Sequence, residues 1–461
     1  MTGPGMDALS LALEVQRERL MPCVHCGFCL AACPTYNRLG DEADSPRGRL
    51  HLMRAVVDGR LDPASDAFHT HIDRCLGCRA CEPVCPSGVE YGSLLELARD
   101  VGAKHRPPGF LSRLLLASFA TPLRRKLFFL GGRVVRGTGL AALAARLLPS
   151  RGALGSARLG MAMLAATAPW SRLRGAGSTA APSSASRPAG PASGPDAATT
   201  SAMATGTPGA EEAPRTRVAI LTGCVQEGLF DRVNQATIRV LEANGFDVVV
   251  VPGQDCCGAL HAHGGDLGKA RALATVNVER FQAAGVDHVV VNAAGCGAAM
   301  KEYGHLLAHE GDLATRAKAF SATVRDVNEI LAEAGPRAGA PVPCTVAYDH
   351  PCHLLHAQRI QAAPLKVLAA VPEARVTVVD GATECCGGAG IYGLTHPELG
   401  GHIGGDKVAA VRKANCDVAA TPNPGCMMQI GAGLRLAGSE EGVIHPVELL
   451  DESYRRAGYY R

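Results

Sequence analysis

The sequence predicts an α+β chain of several domains: a helical N-terminal unit, a basic connecting stretch, and a duplicated α/β unit. Three observations carry this expectation. The pattern Cys-x2-Cys-x2-Cys-x3-Cys-Pro occurs twice between Cys23 and Pro86. A strand, Cys, helix, strand, Cys-Cys-Gly, helix, strand, Cys arrangement begins at Val218 and returns at Thr345 with matched spacing. Between the two regions, Val101 to Pro195 holds 14 Lys or Arg and no Asp or Glu. A length of 461 residues accommodates two or three domains. The expected divisions are 1–106, 107–214, 215–340 and 341–461.

Residues 6–20 alternate Leu and Val with Glu and Arg at helical spacing, which predicts a lead-in helix. The first cysteine loop is Cys23, Cys26, Cys29 and Cys33, closed by Pro34; the second is Cys75, Cys78, Cys81 and Cys85, closed by Pro86. Such a loop presents three thiolates to three irons of a cubane, and the fourth Cys ligates the other cluster of a pair. Cys23, Cys26, Cys29 and Cys85 are therefore assigned to one [4Fe–4S] cluster, and Cys75, Cys78, Cys81 and Cys33 to a second. Zinc pairs two Cys-x2-Cys knuckles and has no use for a third Cys at the same step followed by x3-Cys-Pro. Disulfides fit a secreted chain, whereas Met1 to Ser10 has neither a basic n-region nor an apolar h-region. Within the 41 residues separating the loops, Ser45-Pro46 reads as an N-cap with Pro at the first helical position. The helix should run through Arg49, Leu50, Leu52, Met53, Val56 and Val57 to Gly59. A closing helix is expected over Tyr91–Val101.

The basic stretch opens with three Leu/Arg-rich pieces, at Phe110, Leu123 and Leu140, which predict short amphipathic helices. From Ser171 to Pro214 the chain turns Ala/Ser/Pro/Gly-rich, as a linker does. The helices suit docking to an anionic membrane surface or an acidic partner. Packing against a neighbouring subunit is the plainer alternative. The longest uncharged apolar run, Leu159 to Ser171, is too short to span a bilayer. A cytoplasmic protein, soluble or peripheral on the inner membrane face, is the expectation. A net charge of +3 argues against a general nucleic-acid binder.

In the duplicated unit, the first copy gathers Cys224, Cys256, Cys257 and Cys296; the second gathers Cys352, Cys385, Cys386 and Cys426. The spacings are 31 and 38 residues in the first copy and 32 and 39 in the second. Strand and helix alternating at this interval imply parallel sheets, with the cysteines at strand ends where such sheets build their sites. Four converging thiols suit a further iron–sulfur cluster or other metal, or a redox dithiol. Glycines after each Cys-Cys pair let the backbone approach a bulky core. Cys344 and Cys416 fall outside the pattern and read as packing residues. Histidines crowd these loops: His261 and His263 in copy one, His350, His353 and His356 in copy two. His350, preceding Pro351-Cys352, is the first choice to hydrogen-bond a sulfide, take up a proton or replace a ligand.

The repeated pattern resembles the cysteine-rich "CCG" domains of heterodisulfide reductases. That family pattern ends in Cys-x2-Cys, and here Ala293 and Asn423 stand where its additional cysteine would be. The N-terminal unit resembles the helical two-cluster ferredoxin-type domain of respiratory dehydrogenase subunits. At motif level the whole is similar to the glycolate oxidase (glycolate dehydrogenase) iron–sulfur subunits. The residues that carry this are Cys23–Tyr36, Asp44–Arg49, Asp73–Tyr91, Ala294–Tyr303, His350–Leu354 and Asn423–Gln429. The resemblance implies an electron-transfer subunit, with separate FAD-binding flavoprotein subunits oxidising glycolate to glyoxylate and passing electrons on to a membrane or quinone acceptor. No Gly-x-Gly-x-x-Gly stands between a strand and a helix, so neither flavin nor nicotinamide is expected on this chain. The first motif is shared with lactate-utilisation and glycerol-3-phosphate dehydrogenase subunits, which are the alternatives, together with a thiol–disulfide reductase and a non-catalytic membrane scaffold.

Overall fold

The computed structural model describes residues 17–170 and 215–460. The lead-in helix lies outside the described residues except for its end, Arg17–Leu20. The Ser171–Pro214 linker expectation lies outside them altogether.

Between the two cysteine loops, Ser45 Oγ accepts from the Gly48 amide at 3.0 Å and starts helix α1, Pro46–Val57. That cap satisfies a donor the helix itself cannot, and Pro46 loses nothing at the first position. The chain leaves the helix at Asp58 and turns at Gly59, whose φ is 68°. Helix α2 spans Tyr91–His105, one turn longer than its apolar pattern predicts. Met53, Phe68, Ile72, Leu94, Leu95 and Ala98 form a small core that also takes in Cys75 and Cys81.

The basic stretch forms four helices: α3 Phe110–Phe119, α4 Pro122–Gly137, α5 Leu140–Leu147 and α6 Gly152–Ala166. They are seated on the repeats. Arg133 Nε donates to the Gly228 carbonyl at 2.6 Å, and Ala162 and Met163 of α6 pack with Ala432. No single described helix is long and apolar enough to cross a membrane; α4 and α5 together reach that length but are bent by 77°.

Each repeat builds a four-stranded parallel sheet. The strands are β1 Arg217–Ile220, β2 Asp247–Val250, β3 His288–Val291 and β4 Val324–Asp326, in the order β2-β1-β3-β4. In the second repeat, β5 Cys344–Tyr348, β6 Ala374–Val378, β7 Val418–Ala420 and β8 Gly442–Ile444 take the equivalent order β6-β5-β7-β8. Val218 pairs with Val248 on one side and His288 on the other, and Val346 pairs with Val376 and Val418 in the same way. The duplication in sequence is thus a duplication in topology. β4 and β8 lie outside the repeated cysteine pattern and, at three residues each, are too short to show an alternation of their own. One apolar core runs through both sheets. Ion pairs Arg232–Glu448 (2.7 Å) and Arg239–Asp451 (2.6 Å) also join the repeats.

Candidate metal centres

In the N-terminal unit the two cysteine loops meet across one cavity, whose wall carries Cys23, Cys26, Cys29 and Cys85 with Cys81 beside them. Gly27 turns there at φ 89°, and a Cβ would come within 2.9 Å of Arg47 Nη1. That guanidinium holds the loop by donating to the His25 carbonyl at 3.0 Å. Cys85, remote in sequence from the Cys23 loop, therefore shares its hollow.

Cys33 does not line that cavity; it is buried, as are Cys75, Cys78 and Cys81, and its charge acts on Cys78 and Cys81. Burial pushes the Cys81 thiol well up, and the charges of Cys78, Cys75 and Cys33 push it further. Burial also acts on Cys75, yet the Arg49 and Arg99 guanidiniums outweigh it and hold that thiol below its ordinary value. Tyr91 Oη at 3.5 Å and the Gly77 amide at 3.4 Å both donate to the Cys75 sulfur. Such a set of sulfurs, supplied with donors and a buried cation, fits an anionic iron–sulfur core.

Arg49 is the side chain that makes this region. It is fully buried and bonds Asp44 Oδ1 (3.2 Å), Thr35 Oγ1 (3.1 Å) and the His71 carbonyl (2.6 Å). Its Nη1 lies 4.0 Å from the Cys33 sulfur. Asp44, equally buried, also receives Arg74 at 2.9 Å. Removing one partner of a buried pair strands the other's charge, at a cost of about 3–5 kcal/mol. Arg49→Met should accordingly lower the thermal unfolding midpoint sharply, read by the loss of visible cluster absorbance on heating. Lys413→Met, which breaks the exposed Lys413–Asp380 pair, should leave the midpoint where it is.

In the first repeat, Cys224 sits at the start of a short helix after β1, and its sulfur lies 3.4 Å from that of Cys256. Cys257 and Cys296 complete the group; Cys296 occupies the first turn of helix α7, Ala294–Lys301, rather than a strand end. The neighbouring Cys224 and Cys257 thiols hold Cys256 well below the ordinary thiol range. Arg125 of α4 reaches in to pair with Asp255 at 2.5 Å.

The second repeat reproduces this with more polar company. The Cys386 and Cys426 sulfurs are 3.3 Å apart, with Cys426 in the first turn of helix α9, Pro424–Leu436. Interaction with Cys385 holds Cys352 low despite its burial, helped by His353, whose Nδ1 is 3.5 Å from the Cys352 sulfur. His353, not His350, touches that thiol. His350 is buried edge-on to Tyr348, with centroids 4.7 Å apart, and burial holds it neutral at a pKa of about 4. Helix α8, Pro397–Lys413, delivers Lys407 into the interior, where it pairs with Asp349 at 2.6 Å. Nothing in the sequence marks Lys407 or Asp349 for this pairing: an isolated Lys on a helix reads as surface, and only burial identifies it. Cys344 and Cys416 are half-buried away from both groups.

The centres adjoin one another. Cys78 of the N-terminal unit packs in one apolar cluster with Cys352 and Cys385. Burial raises the Cys78 thiol, and the charge of Cys352 raises it further. Asn423, at the position of the family pattern's additional thiol, links the two repeats. It accepts from the Gly295 amide at 3.2 Å and donates to the Cys426 sulfur at 3.3 Å. Each repeat therefore gathers four thiols of its own, and Cys78 of the N-terminal unit packs beside those of the second.

The family described as "4Fe-4S dicluster domain" matches residues 19–89, and the one described as "Cysteine-rich domain" matches 218–301 and 346–431. The N-terminal unit is thus a domain for two [4Fe–4S] clusters, followed by two cysteine-rich repeats. The chain is 34% identical to the "Probable glycolate oxidase iron-sulfur subunit" of Bacillus subtilis (strain 168), over 97% of this chain and 96% of that protein. It is 30% identical to the "Glycolate oxidase iron-sulfur subunit" of Escherichia coli (strain K12), over 95% of each. Lactate utilization protein A of Exiguobacterium sp. is 27% identical but aligns with only 52% of this chain.

Proposed function

This chain belongs to the glycolate oxidase iron–sulfur subunits, and on that premise we propose that it conducts electrons from a flavoprotein that oxidises glycolate to glyoxylate. The observation that supports this reading best is the packing of Cys78 against Cys352 and Cys385, which makes the cysteine centres neighbours rather than separate sites. The clusters, when bound, supply one-electron transfer. The residues of this chain hold and tune them. Cys23, Cys26, Cys29 and Cys85 hold one cluster, and Cys75, Cys78, Cys81 and Cys33 the other. The shared cavity of the first set and the mutual charge effects of the second support this crossed assignment. Arg49 and Arg99 offset negative charge at Cys75, which favours the reduced, more negative state there.

The repeats offer all-thiol donor sets to a further metal centre, with copy two the better furnished. Lys407 and His353 place positive charge or a proton donor beside its thiols. A lactate or glycerol-3-phosphate dehydrogenase has weaker support, since the glycolate relatives align with nearly the whole chain and the lactate relative with about half.

The basic helices support docking to an anionic membrane. Of the twenty large apolar side chains exposed among the described residues, twelve fall between Phe110 and Leu154. Arg113, Arg124, Lys126, Arg146 and Arg151 are exposed among them, and no acid interrupts the stretch. Apolar burial with basic flanks is what an interfacial helix needs.

Two outcomes follow. The iron-loaded chain alone should be brown and should reduce no dye with glycolate; glycolate-dependent dye reduction by the pure, partner-free chain would contradict the reading. It should also sediment with phosphatidylglycerol vesicles at low salt and be released by salt, as screening requires.

A further inference from the structure

Asn423 immediately precedes helix α9, where an Asn ordinarily caps the helix by accepting from an amide of its first turn. Its side chain makes no such cap. Oδ1 accepts instead from the Gly295 amide of the first repeat at 3.2 Å, and Nδ2 donates to the Cys426 sulfur at 3.3 Å. The helix forgoes the bond that this residue type is best suited to make. The two contacts also fix the amide's orientation, because the Gly295 N–H can meet only the oxygen, which leaves the nitrogen for the sulfur. Space around the amide is tight: a Cβ at Gly425 would come within 3.3 Å of Nδ2.

The first repeat provides a built-in comparison. Ala293 stands at the same place before α7 with nearly the same backbone, φ −139° and ψ 108° against −154° and 123° for Asn423. Its methyl group donates nothing. A cation acts on the Cys-Cys pair of either copy, Arg125 on Cys256 and Lys407 on Cys386. The amide donor at this position belongs to copy two alone.

A hydrogen bond to a ligand sulfur stabilises negative charge on it, and a reduced cluster carries one more negative charge than an oxidised one. The bond is therefore stronger in the reduced state and raises the reduction potential. Cys426 is buried, so little water competes with the amide and the effect is larger than at a surface.

We propose that Asn423 is a positioning residue that acts through Cys426: its amide N–H raises the reduction potential of an iron–sulfur cluster held by Cys352, Cys385, Cys386 and Cys426. The inference rests on the reading that copy two takes a further metal centre, and adds what sets its potential. The step concerned is the passage of one electron from the cluster that adjoins at Cys78 to the copy-two cluster. The first is oxidised and the second reduced; the amide proton stays on its nitrogen, and no covalent bond of the protein changes. A raised potential favours that step, so copy two retains the electron once it arrives.

The test is a potentiometric titration of the anaerobically reconstituted full chain, followed by low-temperature paramagnetic resonance. The copy-two signal is the one absent from the Cys385→Ser, Cys386→Ser variant. Asn423→Leu removes the donor and should lower that signal's midpoint by about 59 mV, the one-electron equivalent of a tenfold change in the ratio of reduced to oxidised centre. Asn423→Asp keeps an acceptor for the Gly295 amide but turns an anionic oxygen to the sulfur, and should lower the midpoint at least as far. The midpoints of the two N-terminal clusters should stay in place in both variants. A copy-two midpoint that neither substitution moves overturns the proposal, as does an equal shift of every centre. Loss of the signal from both variants would make Asn423 a structural support only, and overturns it too. Absence of the signal from the unmodified chain is a different failure, that of the copy-two centre itself, and the proposal falls with it.

Discussion

Cys85→Ala should remove the cluster held by the Cys23 loop and spare the one held by its own loop. The expectation runs against sequence proximity, since Cys85 belongs to the motif that starts at Cys75. It follows from position: Cys85 lines the hollow of Cys23, Cys26 and Cys29, whereas Cys33 does not, and its charge acts on Cys78 and Cys81. The substituted chain should lose about four irons, one cubane. Its remaining electron paramagnetic resonance signal should come from the centre beside Arg49. Cys33→Ala should do the reverse, and Arg49→Met should disturb only the centre that Cys33→Ala removes. Loss confined to the Cys75 loop's cluster in Cys85→Ala would mean that each loop holds its own four irons.

Anaerobic reconstitution should load clearly more than about eight irons per chain, the total for two cubanes. The excess should disappear in a Cys385→Ser, Cys386→Ser variant. Thiolates gathered without a cation repel one another, so burial would keep them protonated. In copy two, however, contact with neighbouring thiols holds Cys352 and Cys386 low, while Cys385 and Cys426 are held high. Lys407 adds a buried positive charge on the same side. Four converging buried thiols with a buried cation beside them are the donor set a metal takes up. An iron count of eight that the double substitution leaves unchanged would leave copy two as a bare dithiol.

The cysteine framework was legible in the sequence because spacing fixes which thiols one loop can present. The duplication was legible for a similar reason: β-branched runs ending near Cys224 and Cys352 recur at nearly equal intervals. The surroundings of the thiols were much less so. Lys407 and Asp349 are distant in the chain and meet only because α8 packs across the end of β5. His350 stands next to Pro351-Cys352 in the chain, but in the π-helical turn that follows Cys352 it is His353 that meets the sulfur. Asn423 reads as a missing ligand, whereas the fold employs it as the link between repeats.

The most direct measurement is anaerobic addition of glycolate to the chain assembled with its flavoprotein partner, followed by cluster absorbance and low-temperature paramagnetic resonance. Bleaching of the iron–sulfur absorbance and growth of reduced-cluster signals in the complex, with the isolated chain silent, is the predicted result. Flavin reduction in the complex with the clusters left oxidised would contradict it, as would cluster reduction by glycolate in the chain alone.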